Sequence, residues 1–172
     1  MRRLIVVAAV IASLALSVAA DKEGHMHEPF TGSAEFEQLK ALAGVWKGTQ
    51  PMGPDGQPME VTVEVRVTAG GSAIVERFQP GTPMEMITIY HDRGGALTLT
   101  HYCMLGNQPQ MDLASSGDGR FEFAFREGSA AAEEMHMHSL AIALKGDVLE
   151  QTWGMVTEGQ EQKSTTTLSR VQ

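Results

Sequence analysis

The chain has 172 residues, which suits a single domain, and it carries 13 basic against 21 acidic side chains, a formal charge of −8. Such a surface repels polyanions, and no local basic patch offsets it, so the composition excludes a nucleic-acid-binding protein. The single cysteine cannot form an internal disulfide, so stability must come from an ordinary apolar core, which a chain of this length can supply.

The first 20 residues have the pattern of a signal peptide. Arg2 and Arg3 give a basic start, residues 4–20 are apolar apart from two serines, and residues 18–20 offer the small side chains of a signal-peptidase site. A membrane-spanning helix needs ~20 apolar residues, so a retained anchor is the weaker interpretation. We expect a periplasmic or secreted protein that has a formal charge of −10 after cleavage and no membrane span.

Residues 21–32 are polar and lack periodicity, which predicts a flexible leader before a single domain over residues 33–172. This domain begins with one short amphipathic helix. Ser33 is a suitable N-cap for it, and Gly44 is a suitable residue to end it. Its apolar face is formed by residues spaced by three, which are Phe36, Leu39 and Leu42.

After the helix the chain is a succession of strands and tight turns. Residues 61–67 alternate four valines with polar side chains, which is the period-two pattern of a half-buried strand. No segment between the strands has the pattern of a crossover helix. The predicted strands are 45–50, 61–67, 72–78, 86–91, 96–105, 110–115, 120–126, 136–144, 148–156 and 163–171. We predict an all-β fold, an antiparallel barrel of about ten strands, because closure removes exposed sheet edges.

Three residues near the two ends of the domain resemble a pattern of a known barrel family. LAGVWKG places Gly44 and Trp46 on the first strand, and LSRV places Arg170 on the last. In lipocalins and other calycin-like barrels, an arginine of the last strand stacks on a tryptophan of the first. Cation–π attraction is the physical basis of that pairing. The resemblance implies a structural role for Gly44, Trp46 and Arg170.

A longer resemblance covers residues 34–171. The stretches LKALAGVWKG, VTAGGSAIVERF, ITIYHDRGGALTLTHYCMLGNQPQM and MHMHSL together resemble an exported bacterial domain family of unknown function with a predicted lipocalin-like barrel. This resemblance implies the fold and export, but it brings no established activity or catalytic residues. A ten-stranded barrel also resembles the haem-binding nitrobindin-like group, whose axial-histidine motif has no match here.

The stretch ALTLTHYCML, residues 96–105, places a histidine and the single cysteine on one strand. Its leucines favour one face as the inner face of the barrel. That face carries Leu97, Leu99, His101 and Cys103. On HMHSLAIAL, His136 and His138 alternate in phase with Leu140 and are expected to point inward as well. Pairing the inner faces across the hairpin sets His138 opposite Phe123.

Inner residues of mixed polarity are typical of pockets that orient an apolar ligand through a few polar contacts. We therefore predict an exported protein that binds a small apolar or amphipathic molecule inside the barrel. Phe121 and Phe123 suit a packed core and also the wall of a cavity. The expected lining is Leu97, Leu99, His101, Cys103, Phe121, Phe123, His138 and Leu140.

Two other functions stay open. One is a metal- or haem-binding protein that uses His101, Cys103, His136 or His138, with copper suggested by neighbouring methionines and histidines. Against it, the pair His101 and Cys103 is expected to lie ~10 Å from the pair His136 and His138 across the barrel. This distance is far beyond the ~2.0–2.3 Å of a metal–ligand bond. The other is an isomerase or cyclase with His101 as acid or base, although no set of nucleophile, base and orienting group can be assembled.

Overall fold

The computed structural model describes residues 30–52, 56–131 and 134–171. The expected signal peptide, residues 1–20, and most of the expected leader lie outside these residues. The described chain is all-β, with one short helix followed by ten antiparallel strands that close into a barrel. The predicted fold class is therefore confirmed.

Each strand pairs with its neighbours in sequence, and the last strand closes the barrel by pairing with the first. The strands are β1 Gly44–Met52, β2 Gln57–Thr68, β3 Ala73–Phe78, β4 Met86–Arg93, β5 Ala96–Tyr102, β6 Gln110–Gly117, β7 Arg120–Phe125, β8 His136–Lys145, β9 Val148–Thr157 and β10 Gln160–Val171. All ten predicted strands are present. Closure leaves the strands of this sheet paired on both sides, which protects it from adding a foreign strand.

Helix α1 (Ala34–Leu39), continued by the 3₁₀ turn Lys40–Leu42, covers one end of the barrel. Ser33 caps the helix, since its Oγ accepts a hydrogen bond from the backbone N–H of Phe36 at 3.1 Å. The same hydroxyl donates to Asp92 on β4 at 2.9 Å and so ties the helix to the sheet. Gly44 begins β1 instead of ending the helix. The apolar face is fully buried, as expected of Phe36, Leu39 and Leu42.

Trp46 and Arg170 meet under this helix, on paired positions of β1 and β10. The guanidinium carbon of Arg170 lies 4.1 Å from the centroid of the Trp46 ring. The indole N–H donates to the carbonyl of Leu42 at 2.8 Å, which satisfies the polar atom of a fully buried side chain. The stack and the hydrogen bond therefore join the first strand, the last strand and the helical segment.

The two ends of the barrel differ in how they are filled. Because the strands alternate in direction, α1 lies at the end that holds the β2–β3, β4–β5, β6–β7 and β8–β9 turns. From that end to the middle the interior is packed with buried side chains, including Trp46, Ile74, Leu97, Leu99, Met111, Phe121, Phe123, Leu140, Ile142, Leu149 and Leu168. The opposite end, with the longer β3–β4, β5–β6 and β7–β8 loops, holds the cavity described below. None of the described helices is long and apolar enough to cross a membrane.

Candidate functional site

A buried carboxyl group lies near the middle of the barrel. Glu76 on β3 is 2% exposed, and its Oε2 accepts hydrogen bonds from the hydroxyl of Tyr90 and from Nε2 of Gln151, both at 2.9 Å. Burial raises the pKa of Glu76, and these two hydrogen bonds act in the opposite direction. Burial, followed by the neighbouring carboxyl, raises the pKa of Tyr90 well above its usual value. The three side chains thus form one polar group inside an apolar core.

Thr88 on β4 and His101 on β5 extend this polar group to one more strand. Glu76 pairs with Thr88 between β3 and β4, and Thr88 pairs with His101 between β4 and β5. The hydroxyl of Thr88 lies 2.9 Å from Nδ1 of His101, whose Nε2 is buried and has no hydrogen-bond partner among the described residues. Burial lowers the pKa of His101 to about 4, so its imidazole is neutral at neutral pH.

A cavity of about 360 Å³ extends from Glu76 and Thr88 toward the end of the barrel opposite α1. Its apolar wall consists of two aromatic and five methionine side chains, which are Phe78, Met84, Met86, Met104, Met137, Trp153 and Met155. Glu76 and Thr88 lie at its inner end, and Gln50 and Thr166 add further polar groups. Met104 is 59% exposed, which places the mouth of the cavity beside the β5–β6 loop. Flexible methionine side chains allow such a wall to adapt to ligands of different shape.

Five of the eight residues that the sequence assigned to the lining are buried in the packed half of the barrel. They are Leu97, Leu99, Phe121, Phe123 and Leu140. Their side chains point into the barrel, as predicted, but they pack against other core side chains and do not border the cavity. Alternation identifies the inner face of a strand and does not identify which part of that face borders empty space. The described lining of the cavity contains none of the eight, and the ligand-binding role assigned to them stays a prediction.

His101 and Cys103 are separated by the end of β5. His101 lies behind the cavity wall, with its ring centroid 4.8 Å from that of Trp153 and its Nδ1 against Thr88. Cys103 follows the last residue of the strand and lies half-buried in the loop, where its backbone N–H donates to the carbonyl of Asn107 at 3.1 Å. The strand is therefore shorter than predicted, and the alternation that put both side chains on one face does not reach Cys103.

A β-bulge in β8 redirects His138. The register shifts between Met137 and Ser139, so His138 is an extra residue in the strand. Met137 lines the cavity and Leu140 is buried in the core, although strict alternation would place them on opposite faces. In the ladder between β7 and β8, Phe123 pairs with Leu140 and not with His138, which corrects the predicted pairing.

The two histidines of β8 come together beside Phe125. Nε2 of His136 lies 3.1 Å from Nδ1 of His138, and Nδ1 of His136 lies 2.6 Å from the carbonyl oxygen of Glu134. Their ring centroids are 4.5 and 4.9 Å from that of Phe125. His101 and Cys103 do not join this pair, and no group of three or more His, Cys, Asp or Glu in the described part of the chain is arranged to hold a metal ion. The metal and haem alternatives stay predictions.

Sequence patterns did not identify Glu76, Tyr90 and Gln151 as a group. A signal for Glu76 is present, because it alternates in phase with Ile74 and Phe78 on β3 and so shares their inner face. Its partners come from β4 and from β9 on the far side of the barrel, and no local pattern brings those strands together.

No family model matches the chain, and neither does any curated protein sequence. Among solved structures, the barrel is similar to the one described as the crystal structure of Rv2717c from M. tuberculosis. The TM-score is 0.58 at 17% sequence identity, over 83% of this chain and 100% of that chain. This likeness supports the ten-stranded antiparallel barrel and carries no information about a ligand.

Proposed function

We propose that this protein is a lipocalin-like carrier that holds a small, largely apolar molecule in its barrel cavity. The observation that carries the proposal is the cavity of about 360 Å³ with its wall of methionine and aromatic side chains. A concave, mostly apolar pocket with a few convergent polar groups is the usual form of a small-molecule site. Glu76 and Thr88 supply such polar groups at the inner end.

The packed half of the barrel supports the same interpretation. The core next to α1 fixes the positions of the strands, so the cavity walls are formed before a ligand arrives. The wall itself is adaptable, because five of its side chains are methionines with three rotatable bonds each. A packed core beside a cavity wall of flexible side chains suits a carrier that accepts several related apolar molecules.

The function is tested with the uncharged fluorescent probe N-phenylnaphthylamine, whose emission rises when it leaves water. We expect saturable binding to the wild-type protein. Met137→Gln places an amide in the wall at similar volume, and we expect it to weaken binding by roughly tenfold, since a buried amide without partners costs ~1–2 kcal/mol.

Met135→Gln is the matched control. Met135 lies two residues away on the same segment, is 40% exposed and is not part of the described lining. Its variant is expected to bind the probe like the wild type. Absence of saturable binding, or equal weakening by both substitutions, would contradict the proposal. Native mass spectrometry of protein taken from its own compartment would then identify any retained molecule directly.

We further propose that the carrier acts outside the cytoplasm. The basic start, the apolar stretch over residues 4–20 and the small residues at 18–20 support export. N-terminal sequencing of protein from the native cell should find a chain that begins at Asp21. A chain that still begins at Met1 in the cytoplasmic fraction would contradict export and leave the binding proposal intact.

A further inference from the structure

We infer that the ligand carries an uncharged oxygen acceptor, such as the carbonyl of a ketone, ester or amide, which receives hydrogen bonds from Thr88 and Glu76 at the inner end of the cavity. The inference rests on the proposed function, because it names the head group of a molecule held in the same cavity. Its basis is the row of three paired residues on adjacent strands, Glu76, Thr88 and His101.

The hydrogen bond between Thr88 and His101 sets the direction of the Thr88 hydroxyl. Nε2 of His101 is buried without a partner among the described residues. A buried N–H without an acceptor is rarer than an acceptor without a donor, which favours the tautomer with its proton on Nδ1. Nδ1–H then donates to the hydroxyl oxygen of Thr88 at 2.9 Å. The hydroxyl proton of Thr88 is left free to point into the cavity that this residue lines.

The hydrogen bonds of Glu76 set the position of its acidic proton in the same way. Both Tyr90 and Gln151 donate to Oε2, so that oxygen already accepts two hydrogen bonds. A protonated carboxyl therefore carries its proton on Oε1 and offers it as a donor. Burial of Glu76 favours this neutral form.

The charges around the cavity agree with a neutral head group. Lys163 is the one basic side chain in the described lining, and it is 62% exposed with its ammonium 4.0 Å from Glu161. It therefore lies in solvent and does not neutralise Glu76. A cationic ligand would require an ionised Glu76 in an apolar site, which desolvation opposes.

Two donors on directly paired positions suit one carbonyl oxygen. The Cβ atoms of such cross-strand neighbours lie ~4.5–5.5 Å apart, so hydrogen bonds from both side chains can converge on a single atom. A carbonyl oxygen has two lone pairs and accepts both. The apolar part of the ligand then lies along the wall formed by Phe78, Trp153 and the methionines.

Three molecules of nearly the same shape test this head group: acetylnaphthalene, ethylnaphthalene and naphthylethylamine, all substituted at the same ring position. Each is measured by displacement of N-phenylnaphthylamine from the wild-type protein. We expect the ketone to bind about tenfold more tightly than the hydrocarbon, since only the ketone accepts the two hydrogen bonds. The charged amine should bind more weakly than the hydrocarbon.

Two variants assign the preference to residues. Thr88→Val removes the hydroxyl at constant shape and should lower the preference for the ketone over ethylnaphthalene to about threefold. Glu76→Gln keeps a neutral donor and should retain the preference. Thr100→Val is the control, because Thr100 lies between the inward Leu99 and His101 and so faces out of the barrel.

The failures are distinguishable. If the protein binds neither the probe nor any of the three molecules, the carrier function fails, and the inference fails with it. Equal affinity for the ketone and the hydrocarbon leaves the carrier function standing and overturns the acceptor head group. Tightest binding of the amine also overturns it, since Glu76 would then act as an anion. A Thr88→Val variant with an unchanged preference excludes Thr88 as a donor and overturns the inference in the form stated.

Discussion

A Cβ atom on Gly44 would lie 2.6 Å from Nη1 of Arg170, so the first residue of β1 is held against the guanidinium of the last strand. That guanidinium is fixed by its stack on Trp46 and by hydrogen bonds from Nη1 to the carbonyl of Ala43 at 2.6 Å and from Nη2 to the carbonyl of Ala41 at 3.0 Å. Gly44 also has a φ of 142°, in the region that favours glycine. The spacing Gly-x-Trp with a distant arginine therefore has a steric cause in this chain.

Replacing this glycine is expected to destabilise the barrel. Gly44→Ala must displace Arg170 and strain the backbone, which together should lower the free energy of unfolding by about 2–4 kcal/mol. Urea unfolding of the wild type and the variant measures the change.

A double-mutant cycle with Arg170→Met separates the two causes. If the guanidinium is the obstacle, Gly44→Ala should cost less in the Arg170→Met background, where only the backbone strain is left. An equal cost in both backgrounds would show that the contact with Arg170 contributes nothing.

The buried imidazole of His101 should make the protein sensitive to mild acid. Its pKa of about 4 in the folded state lies below the ordinary value of 6.5, so the unfolded chain binds the proton more tightly. The contribution to stability is complete above pH 6.5 and is lost as the pH falls toward 4. The loss amounts to about 3 kcal/mol.

His101→Gln identifies this contribution, because the variant lacks the titrating group and keeps the other histidines. Urea midpoints measured between about pH 7 and pH 4 should fall less steeply for the variant than for the wild type. Parallel curves for the two proteins would mean that His101 is solvated in the folded state.

Glu76 should have the opposite pH dependence. Its pKa is raised in the folded state, so the folded protein binds the proton more tightly than the unfolded chain, and stability falls as the pH rises above the ordinary value of 4.5. Glu76→Gln keeps the shape and removes this loss. At neutral pH the variant should be more stable than the wild type, and the difference should disappear below pH 4.5, where the carboxyl is protonated in both states.

Thermal unfolding at several pH values gives the comparison. Because the amide of the variant can still accept a hydrogen bond from Tyr90, loss of that contact is not a confounding change. A wild type that is more stable than the variant at neutral pH would show that the ionised carboxylate is favoured in this site.

The fold could be predicted because each strand carries its own evidence. Val61, Val63 and Val65 are buried on β2 as their alternation requires, and Phe121 and Phe123 repeat this pattern on β7. The site depends on relations that no single strand contains. An inward residue contacts the core if it lies toward the end that α1 covers, and it borders the cavity if it lies toward the opposite end. Leu97 and Met86 both point inward, but Leu97 is buried in the core and Met86 lines the cavity.

The bulge in β8 shows a second limit. The extra residue His138 shifts the alternation of β8, so the residues before it face the side opposite to the one that strict alternation predicts. Met137 therefore lines the cavity, and His136 and His138 are not part of its described lining. Sequence alternation assumes an unbroken ladder, and the composition around His138 carries no signal of the break. The polar group of Glu76, Tyr90 and Gln151 was missed for a related reason, since it spans the barrel interior.

Asn107 should control the order of the loops at the mouth of the cavity. It lies in the β5–β6 loop, is 7% exposed, and its Nδ2 donates to Oε1 of Glu134 at 3.0 Å and to the carbonyl of Met135 at 2.8 Å. These hydrogen bonds tie that loop to the segment that leads into β8. Asn107→Ala should therefore lower stability by about 1–3 kcal/mol and speed amide hydrogen exchange at the start of β8.

Gln108→Ala is the matched control for this loop. Gln108 is the next residue and is exposed, and its side-chain amide donates to Gly106 within the same loop at 3.0 Å. Its removal should leave exchange at the start of β8 unchanged, because no contact between the two loops is lost. If the two variants exchange alike there, the hydrogen bonds of Asn107 do not hold the loops together. Faster exchange in Asn107→Ala alone would assign to this residue the coupling between the cavity mouth and β8.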